Sequence, residues 1–230
     1  MKKIRKNTKD RDENWLSRNR RWLNKDRNSL TRNADDCEKR MIKKERGNKL
    51  KDNIVMIGFM GCGKTTVGKQ LAAELKYQFL DTDAYIEEKE QMTISQIFDK
   101  KGEAYFRNLE TTSLEELAAQ TKQTIVSSGG GLPLREENAK LLQKLGFVVY
   151  LRVTKETVLK RLEGDTTRPL LACENPAQKV EELLNFRDPI YEVGAHLVID
   201  VDEKSVPEIV EEIVRNYKIL KNQTTENQDI

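Results

Sequence analysis

The chain has 230 residues, 37% hydrophobic and 34% charged, with a net charge of +3. Residues 1–50 carry 18 Lys and Arg against 8 Asp and Glu, whereas residues 51–230 carry 23 against 30, so a basic arm precedes a mildly acidic body long enough to bury its own core. Three scattered cysteines (Cys37, Cys62 and Cys173) form neither a disulfide framework nor a zinc pattern, no apolar run is long enough for a membrane helix, and no apolar stretch backs the basic start as in a secretory signal. The expected compartment is the cytoplasm.

In the arm, Leu16, Leu23, Leu30 and Cys37 recur every seventh position, with Trp15 and Trp22 beside the first two. A coiled-coil seam needs two apolar positions per heptad, and asparagine, frequent here, is a poor helix former. The expectation is a disordered or loosely helical arm over residues 1–50, with contact to nucleic acid as a less favoured role and Met41 as an alternative start. From residue 52 the pattern alternates. Strands are expected at 54–57, 78–80, 124–127, 147–151 and 197–199. Helices are expected at 66–75, 84–90, 94–100, 103–120, 135–145, 155–163, 177–191 and 206–217. This alternation predicts an α/β domain over residues 51–220, with a five-stranded parallel sheet, helices on both faces and ligands beyond the carboxyl ends of the strands. Residues 221–230 read as a polar tail. The sole histidine, His196, borders the apolar run 197–199 and is expected to serve the strand end rather than catalysis.

The richest motif is Gly58-Phe-Met-Gly-Cys-Gly-Lys-Thr65, which fits G-x-x-x-x-G-K-[ST] between an expected strand and an expected helix. Its glycines let the backbone wrap around phosphate oxygens, and the helix N-terminus favours the anion. Lys64 adds a point charge, and the Thr65 hydroxyl can ligate Mg²⁺. Leu80-Asp-Thr-Asp83 ends the second strand. Asp81 and Asp83 can divide two tasks, one near the metal of Mg²⁺–ATP and one on an acceptor hydroxyl; the plain alternative is a helix cap. Gly129-Gly-Gly131 follows the third strand and permits close approach of a ligand. Arg107, Arg168 and Arg187 are candidates for clamping carboxylates or phosphates, Arg168 on the polar stretch 163–174 that reads as a mobile lid.

Together these motifs resemble those of shikimate kinase over residues 53 to about 217: the phosphate loop continued by Thr66-Val-Gly68, Leu80-Asp-Thr-Asp83, Ile97-Phe98 with Gly102-Glu103, Phe106-Arg107 and Glu110, Gly129-Gly-Gly131, Arg168-Pro-Leu-Leu171, and Arg187-Asp-Pro-Ile-Tyr191. The first 50 residues lie outside the likeness. The resemblance implies a three-layer P-loop kinase fold and a monomer that phosphorylates shikimate with ATP and Mg²⁺. It implies that Gly61, Cys62, Gly63, Lys64, Thr65 and Thr66 hold the ATP phosphates, with Thr65 and Asp81 at the metal. It places Asp83 on shikimate hydroxyls as candidate base, and Arg107 and Arg187 on the shikimate carboxylate. Gly129, Gly130 and Gly131 would touch the ring, Arg168 would reach the phosphates from the lid, and Arg161 would border the adenine. A gluconate or nucleotide kinase is the nearby alternative, and a nucleic-acid-binding regulator the distant one. Intact Lys64, Thr65, Asp81 and Asp83 weigh against the latter, and the arm shows no base-reading motif.

Overall fold

The first strand, β1 (Ile54–Ile57), is buried along its whole length, which is why it reads Ile-Val-Met-Ile with no polar alternation. The computed structural model describes residues 52–164 and 174–226, with side chains of the last helix as far as Lys221. The basic arm, residues 165–173 with Arg168, and both Cys37 and Cys173 lie outside the described residues. After β1 come α1 (Lys64–Leu75), β2 (Gln78–Asp81), α2 (Thr82–Glu90), α3 (Ile94–Gln120) and β3 (Thr124–Ser127). A 3₁₀ turn (Leu132–Leu134) leads to α4 (Glu136–Leu145), β4 (Phe147–Arg152), α5 (Lys155–Arg161), α6 (Pro176–Gly194), β5 (Leu197–Asp200) and α7 (Val206–Glu226).

The strands form one parallel sheet in the order β2-β3-β1-β4-β5. Chain order reverses on either side of β1, so a crevice opens beyond its carboxyl end. On one face α1 packs against α7 and β3; on the other, α4 packs against β1, β4, α3 and α6. Asn53 pins the opposite end of the sheet. It is wholly buried, donates to the Leu145 carbonyl at 3.0 Å and accepts from the Thr124 amide at 3.1 Å, tying β1 to β3 and to the end of α4. His196 accepts from the Val148 amide at 2.8 Å through Nδ1 and stacks on Phe147, so it completes the start of β5.

Three departures from the expected elements have local causes. The expected break near residue 101 is real, since Gly102 sits at φ 82°, ψ 168°, but the helical run resumes directly and α3 continues to Gln120. Helix α1 starts at Lys64, two residues earlier than expected, because Gly63 takes a left-handed conformation at its N-cap. Helix α7 runs to Glu226 rather than Tyr217, and Leu220 in this added stretch is still buried. The domain also has a second, smaller apolar cluster. Ile86, Ile97 and Phe106 bury one another with Met92, Ile94, Phe98 and Leu109, all on or between α2 and α3, apart from the main core.

Candidate active site

The site starts where β1 ends. Gly58 lies so close to β4 that a Cβ there would stand 2.7 Å from the Leu151 carbonyl oxygen. Gly61 and Gly63 take φ of 75° and 98°, conformations that fold the loop over the N-terminus of α1 and favour glycine. Lys64 reaches back across the loop, its Nζ donating to the carbonyls of Gly58 at 2.8 Å and Phe59 at 2.9 Å. The lysine therefore holds the loop's curvature as well as placing charge inside it. Thr65 and Thr66 follow in the first turn of α1, where the helix dipole and open amides favour an anion.

The two aspartates have separate jobs. Asp81 caps α2, its Oδ1 accepting from the amides of Asp83 at 3.1 Å and Ala84 at 3.4 Å. The cap is therefore Asp81, and Asp83 is free of that duty. Asp83 Oδ1 is buried and has no hydrogen-bond partner among the described residues. Burial pushes the Asp83 carboxyl above the ordinary carboxylate range, the neighbouring Asp81 charge adds to this, and Lys64 and Arg107 offset only part.

The glycine run after β3 is shaped by these side chains. A Cβ on Gly129 would stand 2.5 Å from Asp83 Oδ1, and one on Gly131 would stand 2.8 Å from Arg107 Nη1. The close approach that the sequence suggested is thus an approach of the protein's own charged groups. The run is held by the Gly129 amide, which donates to Thr82 Oγ1 at 2.9 Å, and by the Tyr191 hydroxyl, which donates to the Gly130 carbonyl at 2.5 Å.

The arginines differ in how much they are already engaged. Arg107 donates to Glu110 at 2.8 Å and to Glu103 at 3.4 Å. Burial alone would lower its pKa, and the two carboxylates more than reverse that. Glu110 is 1% exposed, and burial lifts its own carboxyl despite the arginine beside it. Arg187 is buried on α6, lies over the Phe59 ring at 5.5 Å, and leaves its Nε without a hydrogen-bond partner among the described residues. Arg161, on the other side of the loop, donates to the carbonyls of Gly61 at 3.1 Å and Val201 at 3.4 Å.

A single cavity of about 800 Å³ brings the sequence candidates together: Gly61, Cys62, Gly63, Lys64, Thr65, Thr66, Asp81, Asp83, Arg107, Gly129, Gly130, Gly131, Arg161 and Arg187 all line it. Sequence reasoning gave Glu110 no role, although its spacing of three from Arg107 on a helix was a usable signal. Lys204, Val206 and Ile209 also line the cavity. They follow β5 and carry no motif. Such a loop, with carboxylates and a poised guanidinium beyond the strand ends, defines a P-loop phosphotransferase for small molecules.

The comparisons narrow that class. The shikimate kinase family model matches residues 60–218. A shikimate kinase of Thioalkalivibrio sulfidiphilus is 46% identical over 168 residues, covering 73% of this chain and 87% of that one. The solved structure of the Acinetobacter baumannii shikimate kinase in complex with shikimate is 42% identical, with a TM-score of 0.69 over 76% of this chain and 96% of that one. The Aquifex aeolicus shikimate kinase structure is 36% identical, with a TM-score of 0.64 over 72% of this chain and 96% of that one. The chain belongs to the shikimate kinase family and is a kinase.

Proposed function

We propose that the cavity transfers the γ-phosphoryl group of ATP to a hydroxyl of shikimate, giving shikimate 3-phosphate, with the residues above in divided roles. The observation that carries this reading is Asp83 Oδ1, a buried carboxylate oxygen without a hydrogen-bond partner among the described residues, set against a glycine run and flanked by arginine and lysine charge. Such a group calls for a hydroxyl donor from a ligand. A raised pKa also makes it a better proton acceptor than an ordinary carboxylate.

The nucleotide end is the loop Gly61 to Thr66, with Arg161 and Lys204 at its rim. Mg²⁺ usually takes only one or two protein ligands and completes its shell with phosphate and water. The Thr65 hydroxyl and the Asp81 carboxylate, both on the cavity wall, fit that small donor set. The bound ion would neutralise charge on the phosphates. Lys64 would do the same from within the loop. The acceptor end is built by Asp83, the glycine run, Arg107 and Arg187. Arg187, with Nε unpartnered, has the most capacity to clamp a carboxylate; Arg107 is shared with Glu110 and contributes an oriented edge. In phosphoryl transfer the protein's task is mostly positioning and charge stabilisation, which suits this division.

The test is ADP release with shikimate, gluconate and nucleoside monophosphates as competing acceptors. Shikimate should be preferred by orders of magnitude in kcat/KM. Equal or better use of gluconate or a nucleotide would refute the assignment.

A further inference from the structure

Tyr191 is a fully buried residue beside the site that the reaction does not use directly. It lies on α6 and is not part of the cavity wall. Its hydroxyl donates to the carbonyl of Gly130, in the middle of the glycine run. Four residues before it on the same helix is Arg187, so the two side chains lie one turn apart on one face. They converge on one point: a Cβ on Gly130 would stand 3.8 Å from the Tyr191 hydroxyl and 3.9 Å from Arg187 Nη1. Burial pushes the Tyr191 phenol up to about 12, with the Arg187 charge opposing, so the hydroxyl stays protonated and remains a donor at any working pH.

We propose that Tyr191 is a positioning residue for the acceptor, latching the glycine run to the helix that carries Arg187 so that both present a fixed geometry to the same ligand. A peptide is planar and trans, so fixing the Gly130 carbonyl toward α6 also fixes the Gly131 N–H in the opposite direction. Without the latch, the run is still held at Gly129 by Thr82, but its middle residue loses its tie to α6 and has no side chain to limit its conformation. Arg107, which approaches Gly131, would then face a moving wall. The Tyr191 hydroxyl bonds the glycine run and, among the described residues, no hydrogen bond joins it to the phosphate loop, so the main effect falls on the acceptor end. The proposal rests on the reading that shikimate binds between the glycine run and Arg187.

Tyr191→Phe removes only the hydroxyl. Tyr150→Phe is the matched control: its ring packs 5.1 Å from that of Tyr191, but its hydroxyl donates to Asp188 at 2.8 Å, away from the run. The measurements are KM for shikimate, KM for ATP, kcat, and shikimate Kd by calorimetry. Loss of one well-placed hydrogen bond predicts about a tenfold rise in KM and Kd for shikimate in Tyr191→Phe, with KM for ATP within about twofold. Tyr150→Phe should leave both KM values unchanged. Equal rises for both substrates, equal effects of both variants, or a lowered Tm with no change in either KM would each reduce Tyr191 to a packing residue. Should Tyr191→Phe fold poorly, calorimetry on its soluble fraction still reads the shikimate Kd, and a wild-type value there overturns the proposal. Arg187→Leu separates the two levels of argument. If it weakens shikimate and Tyr191→Phe does not, the latch fails while the site stands; if wild type does not use shikimate at all, the underlying reading fails.

Discussion

At the residue scale the site trades stability for chemistry, and Asp83 is where the trade is sharpest. Its carboxyl is raised in the folded protein relative to the unfolded chain, so at neutral pH its charged form costs stability, and that cost fades as pH falls through the folded value toward the unfolded one. Asp83→Asn should therefore lower kcat strongly and at the same time raise Tm, with the Tm gain shrinking as the pH is lowered. A thermal melt series from pH 7 to 4 beside initial rates checks both; a drop in Tm at pH 7 would contradict the argument. Arg187→Leu should raise KM for shikimate far more than for ATP, by an amount equivalent to roughly 2–4 kcal/mol, because its guanidinium keeps an Nε with no partner among the described residues and so has capacity left for a ligand carboxylate. Lys64→Ala should cost on the order of 3 kcal/mol or more in the barrier, while circular dichroism stays native. Some of that loss will come from the loop itself, since Lys64 also bridges the Gly58 and Phe59 carbonyls.

At the scale of elements, the glycine run after β3 is a spacing device. Gly129 is not in the left-handed region, so alanine fits its backbone, yet the added methyl would meet the Asp83 carboxylate at 2.5 Å. Gly129→Ala should fold and lose about tenfold or more in kcat through displacement of that carboxylate. Gly130→Ala, whose methyl meets nothing nearer than 3.4 Å, should be milder. A reversed ranking in steady-state assays would show that the run works through backbone flexibility instead. Much of this level was legible in the sequence, because short apolar strands and amphipathic helices carry their own periods and the phosphate loop its own spacing. Three of the five strands extend one residue past their expected ends, at Asp81, Arg152 and Asp200, since polar residues at a strand terminus look like the start of a loop. The side-chain roles were less legible. Asp81 and Asp83 are equivalent in the string Asp-Thr-Asp, and only the start of α2 at Thr82 makes Asp81 the cap and leaves Asp83 Oδ1 without a partner among the described residues. Lys204, Val206 and Ile209 reach the cavity by tertiary placement alone.

At the scale of the whole molecule, residues 52–164 and 174–226 already form a parallel sheet covered on both faces, and every cavity residue lies after residue 50. Deleting residues 1–48 should leave a soluble enzyme with kcat/KM within about threefold of the full chain, because the described sheet, its covering helices and the described cavity residues all lie outside the deleted stretch. Loss of solubility, or of more than tenfold in kcat/KM, would show that the arm completes the body. The separate apolar cluster of Ile86, Ile97 and Phe106 carries a different consequence. It underpins the stretch that bears both Asp83 and Arg107, while the phosphate loop rests on β1 and the main core. Part of the acceptor end thus has a foundation of its own, while the glycine run and Arg187 share β3, α6 and the main core with the phosphate loop. Mutational drift beneath the acceptor end can be absorbed by repacking seven side chains, with the sheet untouched. In this architecture a new acceptor preference is open to gradual evolution, whereas a change of phosphoryl donor would require altering the fold's own centre.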